Sequence, residues 1–275
     1  MHSSQAEKAA RFLRLHRERA PLLMPNAWDP GSAKVLAELG FEALATTSSA
    51  FAATLGRLDG SVTREEALAH CAALVAATEL PVSADLENCF ADDPAGVAET
   101  VGLALDAGLA GCSVEDYSGD PGAPIYELEL AAERVAAAAA AAHAGEVHLV
   151  LTARAENLLH DHGDLEETIT RLRAYERAGA DVLFAPGLAS AEQVRAVIAA
   201  VGLPVSVLAR HTLPPVPELG ALGVARVSVG GAFGFAALGA AVEAATELRD
   251  GGTYGFMARS QVGYRAARAA FAPPD

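Results

Sequence analysis

Eight short apolar runs recur along the chain, each followed by a stretch whose apolar residues return every three or four positions. The runs are 22–28 (LLMPNAW), 42–48 (EALATTS), 81–87 (PVSADLE), 111–116 (GCSVED), 147–155 (VHLVLTARA), 181–187 (DVLFAPG), 204–209 (PVSVLA) and 224–231 (VARVSVGG). The stretches between and after them are 30–39, 63–79, 93–107, 127–144, 164–178, 190–201, 214–222 and 232–249. Short apolar runs bounded by turn residues read as buried strands, and the longer spacing reads as helices that cover them. Continuous apolar strands separated by helices predict parallel pairing. Eight such units in a 275-residue chain predict the α/β class, as a closed (β/α)8 TIM-type barrel forming a single domain over 1–275. An N-terminal helix over 1–20 and a helical tail over 250–275 flank it.

The punctuation agrees with this reading. Thr63, followed by Glu65 and Glu66, starts a capping box, and Asp164 and Ser190 are N-cap residues. The segments AELGF, DAGLAG and RAGAD each end a helix at glycine and lead into a strand. The tail carries Tyr254, Phe256, Met257, Tyr264 and Phe271. Apolar residues on an added helix point to packing against another subunit, in a homodimer or homotetramer.

Charge narrows the partners. A formal net charge of −15 disfavours nucleic acid and anionic membranes, and leaves an anionic substrate to be drawn in by local positive charge or a metal. The three cysteines, Cys71, Cys89 and Cys112, are odd in number and lack metal-ligand spacing, which fits a reducing, cytoplasmic setting. The charged, helical start does not read as a signal peptide, and no run has the length of a membrane span.

Candidate chemistry gathers at the carboxyl ends of the predicted strands, where barrels of this type keep their active sites. The first strand ends near Asn26, Trp28 and Asp29, and the second in Thr46, Thr47, Ser48 and Ser49, with Arg57 and Asp59 in the loop beyond. The third gives Asp85, Glu87 and Asn88; the fourth Glu115 and Asp116; the fifth Arg154, Glu156 and Asn157; the seventh Arg210 and His211. The amino ends show no such cluster. Strand alternation puts Asp85 and Glu87 on one side. Converging carboxylates in an apolar setting call for a cation, and oxygen donors suit Mg²⁺, with Mn²⁺ also compatible. The plain alternative is a set of helix caps and loop ion pairs.

The Thr46–Ser49 segment offers hydroxyls and amides for a carboxylate or phosphate, unless it is an ordinary polar strand end. Arg154 is placed to clamp a carboxylate, or else to bridge to Glu115 or Glu156. The His160-Asp161-His162 triplet reads as a surface loop. The SVGGAFG segment, 228–234, is a weak phosphate-loop signal that close packing explains equally well. Cys89 lies near the candidate metal and is a candidate reactive thiol; Cys112 reads as core.

The segments NAWDPGSAKVLAELGFEALATTSSA, LGRLDG, SADLEN, GCSVED, LTARAEN and RAGADVLF occur in this order. Together they resemble the isocitrate lyase/phosphoenolpyruvate mutase superfamily over roughly 20–250. The resemblance implies a (β/α)8 barrel that binds Mg²⁺ and a 2-oxo acid or its enolate, with the last barrel helix exchanged between subunits. It implies Asp85 as direct metal ligand, with Asp59, Glu87 and Glu115 holding metal-bound water. Thr47, Ser48 and Ser49 become the carboxylate-binding turn, and Arg154 the residue that stabilises the substrate oxyanion. Glu87 stands where an aspartate is more usual. The lyases' Lys-Lys-Cys-Gly-His loop is replaced by YSGDPGAPIYELE, and the histidine some members place after strand six by Ala185-Pro186.

These readings lead to an Mg²⁺-dependent enzyme acting on a 2-oxo acid or a 2-hydroxy di- or tricarboxylate, first as a carbon–carbon lyase. Phosphonopyruvate mutase or hydrolase chemistry is second. A 2-oxo acid binding protein without turnover is the alternative from another class. Asn26, Trp28, Thr47, Ser48, Ser49, Asp59 and Arg154 are the expected substrate contacts. Arg154, Glu115 and Tyr117 are the expected catalytic groups. Tyr117 is a proton-donor candidate ranked below water on the metal. Gly119, Gly122 and the prolines make loop 117–127 a candidate lid.

Overall fold

The apolar runs become strands and their spaced partners become helices, as the alternation requires. The computed structural model describes residues 3–18 and 20–272. Helix α1 (Gln5–Leu15) is followed by β1 (Leu22–Met24), α2 (Pro30–Glu38), β2 (Leu44–Ala45), α3 (Ser48–Thr54), α4 (Arg64–Ala77), β3 (Val82–Asp85), α5 (Pro94–Asp106), β4 (Gly111–Glu115) and α6 (Leu128–Ala142). Then come β5 (Val150–Arg154), α7 (Leu165–Arg177), β6 (Val182–Phe184), α8 (Ala191–Ala200), β7 (Val205–Leu208), α9 (Val216–Leu222), β8 (Arg226–Ser228), α10 (Ala232–Thr246), a π-helical turn (Glu247–Gly251) and α11 (Met257–Phe271). The strands are parallel, in the order β1-β8-β7-β6-β5-β4-β3-β2. A parallel bridge between Asn26 and Ala45 brings β1 against β2, so the sheet nearly closes as a (β/α)8 barrel. Among the described residues no helix is long and apolar enough to cross a membrane.

Every strand is shorter than the run that predicted it, because the carboxyl end of each run turns towards the site. Strand β2 stops at Ala45. Thr47 then caps the unanticipated α3, its hydroxyl accepting from the Ala50 amide. The predicted caps at Thr63, Asp164 and Ser190 form, each accepting the N–H three residues on.

Two apolar layers hold the barrel. The larger lies between strands and surrounding helices, with Leu74, Val97, Val101, Leu151, Leu172, Tyr175, Leu183 and Val194 fully buried. The smaller closes the amino end, where Ala9, Phe12 and Leu15 of α1 pack on Leu22, Met24, Val150 and Val182. Gly111 admits this plug. A Cβ there would lie 2.7 Å from the Phe12 ring and 2.8 Å from the Val150 carbonyl oxygen. His16 follows α1. Its Nδ1–H donates to the Phe12 carbonyl at 2.8 Å, which leaves Nε2 to accept from Arg226 Nη1 at 3.2 Å.

The interior of the barrel departs from the usual bulky branched filling. Ser83, Ser113, Thr152, Ser206 and Ser228 are buried polar residues at strand positions alternating with Val, Ala, Leu and Cys. In an all-parallel barrel the apolar alternates face the helices, so the small hydroxyls face inward. They leave room for a cavity.

The tail packs only in part. Helix α11 lies along α2, bringing Phe271 near Gly31. Phe235, Val242, Tyr254, Met257, Val262 and Tyr264 remain exposed on α10 and the tail.

The seal makes stability pH-dependent. Burial, then the Arg226 charge, lowers the His16 pKa to about 3. An unfolded histidine titrates near 6.5, so between these values the unfolded chain takes up a proton that the fold refuses. Stability therefore falls as pH drops below about 6.5. In urea titrations between pH 6 and 4, wild type should lose up to about 1.4 kcal/mol per pH unit more than His16→Gln. Parallel curves would show that His16 is not the group responsible.

Candidate active site

The site is built around one guanidinium. Arg154, the last residue of β5, meets three carboxylates: Nη1 to Asp85 Oδ1 at 2.7 Å, Nη2 to Glu115 Oε2 at 3.1 Å, and Nε to Glu156 Oε1 at 2.8 Å. The strand register puts Arg154 beside Glu115 and Phe184. Asp85 is fixed from its other side as well. Its Oδ2 accepts from the amide and hydroxyl of Ser48 at 3.2 and 3.1 Å, and its own N–H donates to Thr46 Oγ1 at 2.8 Å. Asp85, Arg154, Asp59, Asn26 and the Thr46–Ser49 segment line a cavity of about 180 Å³ at the carboxyl end of the barrel.

The electrostatics are unbalanced. Asp59, Asp85, Glu87, Glu115 and Glu156 surround Arg154, which ion-pairs with three of them. Burial, then the charges of Asp85 and Asp59, pushes the Glu87 carboxyl up to about 7. Burial and the Asp85 charge also raise Asp59, against a hydrogen bond from Ser48. Burial raises Glu115 and Glu156 too, with Arg154 opposing it. The same acids raise Arg154, so it remains a cation.

Glu87 reaches the site by a different route from the expected one. Strand β3 ends at Asp85, and Glu87, Cys89 and Phe90 have φ values of 51°, 59° and 55°. Alternation therefore does not operate, and Glu87 enters a small adjacent pocket with Asp85, His70 and Phe51 rather than the main cavity. Three non-glycine residues in the left-handed region store strain that the surroundings must offset. Buried Arg134 does so from α6, donating to the carbonyls of Ala91, of Asp92 at 2.7 Å and of Asn88 at 2.7 Å. Its guanidinium also lies 4.1 Å from the Tyr126 ring.

Other expected residues fall in varied places. Asn26 is a barrel clasp: its Nδ2 donates to Thr46 O at 2.6 Å, and its Oδ1 accepts the amides of Val229 and Gly230. Those two amides are thereby taken, so Gly230 offers no free amide to a phosphate. Trp28 does not line the cavity. It packs against Gly234 of α10, beside Ala50 and Ala53. Thr47 Oγ1 pairs with Ser49 Oγ at 3.2 Å, and both residues line the cavity. Tyr117 also lies outside the cavity lining. It stacks on His160 at 3.8 Å and bridges to Ile125, which folds loop 117–127 into a small hairpin. His160 of the 160–162 triplet therefore has a packing role. Asp116, next to Glu115, points away into a buried set with Tyr175, Arg171 and the Glu156 amide. Cys89 is fully buried, and burial pushes its thiol up to about 12, so it is not a reactive group.

Residues 12–249 match the family of phosphoenolpyruvate phosphomutase. The chain belongs to this family. A solved protein of Burkholderia cenocepacia J2315, described as a lyase or mutase, is 50% identical, with 98% of each chain covered and a TM-score of 0.94. The 2-methylisocitrate lyase of Halalkalibacterium halodurans is 33% identical over 73% of this chain and 67% of its own length. The structure of 2,3-dimethylmalate lyase, a member of the phosphoenolpyruvate mutase/isocitrate lyase superfamily, is 27% identical over 94% of each chain, with a TM-score of 0.83. The resemblance drawn from the ordered motifs thus holds at the level of the superfamily, whose named members include lyases and mutases.

Three residues of this family member escaped the sequence reading: Arg134, His70 and Arg226. His70 Nε2 is buried without a hydrogen-bond partner among the described residues. Arg134 is one of several charges on an alanine-rich helix, and only the fold shows that it bonds a strained turn. Arg134→Met should cost roughly 2–4 kcal/mol in urea denaturation, because it strips three buried carbonyls of their donor. It should also weaken divalent-ion affinity by loosening Glu87. Unchanged stability would mean that the turn holds itself.

Proposed function

We propose that this phosphoenolpyruvate mutase-family protein is an Mg²⁺-dependent lyase that cleaves a carbon–carbon bond in a 2-hydroxy or 2-oxo dicarboxylate. The observation that carries this is the excess of acids around Arg154, which ion-pairs with only three of them. The donors fit the metal. They are carboxylate oxygens on separate strand ends and loops, the hard ligands Mg²⁺ takes, and burial together with their mutual repulsion raises Glu87 and Asp59. Asp85 would hold the ion, with Asp59, Glu87 and Glu115 around it; Mn²⁺ would satisfy the same set. When bound, the ion would supply Lewis-acid stabilisation of negative charge on a 2-oxo acid.

The chain's own residues supply the rest. Ser48 fixes Asp85 by two donors, and Arg154 fixes it by a third. The three nitrogen atoms of Arg154 are engaged, yet a guanidinium has five N–H groups. Those left over can meet an oxyanion in the cavity that Arg154 lines. Ser49 and Thr47 offer hydroxyls for the acid's carboxylate. Among the described residues, no cysteine, lysine or histidine lines the cavity. With Tyr117 stacked on His160, the proton for the leaving carbanion is assigned to water, which implies slow turnover relative to an enzyme with a positioned acid.

The test is a panel of 2-hydroxy and 2-oxo acids with Mg²⁺, read by product NMR, in wild type and Asp85→Ala. Asp85→Ala should abolish calorimetric Mg²⁺ binding and turnover and leave the fold intact. Cleavage of a 2-hydroxy dicarboxylate supports the lyase. Turnover of phosphonopyruvate alone would favour phosphorus–carbon chemistry, and binding without turnover would mark a 2-oxo acid binding protein. Unchanged Mg²⁺ affinity in Asp85→Ala would sink the metal assignment.

The exposed apolar residues of α10 and α11 support assembly with further copies, by exchange or docking of these helices. Truncation after Gly251 should give monomeric or unstable protein in sedimentation experiments. A truncated chain with wild-type stability and association state would refute this.

A further inference from the structure

The cavity below Asp85 contains a second arginine in a contrasting environment. Arg226, the first residue of β8, is 2% exposed and lines the same cavity as Asp85 and Arg154. Its Nε donates to Ser206 Oγ at 2.8 Å; its Nη1 donates to Thr152 Oγ1 at 3.1 Å and to His16 Nε2 at 3.2 Å. Each of these partners is neutral. His16 cannot serve as a counter-charge, because its Nδ1–H is committed to the Phe12 carbonyl and Nε2 presents a lone pair. Among the described residues, no carboxylate bonds to Arg226 and Nη2 has no protein acceptor.

A buried cation without a counter-charge is costly, and proteins ordinarily pair it. Arg154 has three acids a short way off, so the chain does not lack carboxylates that could have been spent here. Arg134, the other deeply buried arginine in a neutral setting, is bonded by three carbonyl dipoles and packed outside the barrel. Arg226 instead projects into open space lined by Ser83, Ser113 and Ser228. The two cavity arginines face one aromatic ring, Arg154 at 5.3 Å and Arg226 at 5.9 Å from the Phe184 centroid. Phe184 thus lines one side of a cavity that runs from an acid-rich upper level to a cationic floor.

We propose that Arg226, with Ser206 and Thr152 orienting it, is the anchor for the second carboxylate of the substrate. The ligand would lie lengthwise in the cavity. Its 2-oxo or 2-hydroxy acid end would be at Asp85, and its remote carboxylate would accept from Nη2 on the floor. This rests on the reading of the Asp85 end given above and extends it to a selection rule: dicarboxylates over monocarboxylates of the same 2-substituted form. A guanidinium fork suits a carboxylate geometrically, and a dry, low-dielectric floor strengthens the contact.

The experiment is calorimetry at saturating Mg²⁺ with three probes. Oxalate reports the upper end alone, lactate carries one carboxylate, and malate adds the second. Wild type should bind malate at least about tenfold more tightly than lactate, as a charge-assisted bond left unmade by lactate implies. Arg226→Met should weaken malate about 10- to 100-fold, while oxalate stays within about threefold because its partners are untouched. A purely structural role for Arg226 would move both probes together, which would overturn the proposal. So would equal affinity of wild type for malate and lactate, a comparison that needs no variant. Arg226→Lys keeps the charge and covers a failure of the methionine variant to fold. It should lose part of the malate affinity and none for oxalate, and full retention of malate would refute the fork. If oxalate itself fails to bind wild type, it is the reading of the Asp85 end that falls.

Discussion

Everything at the mouth of this barrel depends on Arg154 holding three carboxylates at once. Without a cation at the end of β5, Asp85, Glu115 and Glu156 would be buried like charges, and the strand ends that carry them would repel one another. With it, they converge, yet the surrounding acids still outnumber it. The arrangement is stable enough to fold and remains hungry for a divalent ion. This is a common compromise at functional sites, where local charge is set by later binding and not by the apo chain alone.

Much of the fold was legible because barrel strands and their covering helices obey two different periods. The eight apolar runs located all eight strands, and the caps at Thr63, Asp164 and Ser190 marked real helix starts. Errors came where runs met the site. Chain ends of strands bend there, so β3 stops at Asp85 and the alternation that would aim Glu87 does not apply. Helix α3 hid inside a run of small and hydroxyl residues that reads equally well as strand end or as cap.

The candidate site was legible as a set of residue types, and less so as a geometry. Asp59, Asp85, Ser48 and Arg154 do share one cavity, because each follows or ends a strand. Trp28 and Tyr117 satisfy the same positional rule but turn aside to pack on α10 and His160, which no spacing argument reveals. A signal for the polar interior was present all along. Ser83, Ser113 and Thr152 stand two residues before Asp85, Glu115 and Arg154, and Arg226 stands two before Ser228. In a sheet covered outside by helices, the polar alternate must point inward. Reading the strands as uniformly apolar concealed that inference.

The helical plug at the amino end has a consequence for traffic. Phe12, Leu15 and His16 pack beneath Arg226 at the amino end of the barrel, so a ligand in the cavity would enter and leave at the carboxyl end. For a substrate lying along the axis, the two fragments of a cleavage would be stacked in single file. The outer fragment would have to leave before the inner one, and release would be ordered by architecture and not by relative affinity. The inner fragment, alone in the well, would then compete directly with incoming substrate, whereas the outer fragment would rebind only to a protein already carrying its counterpart.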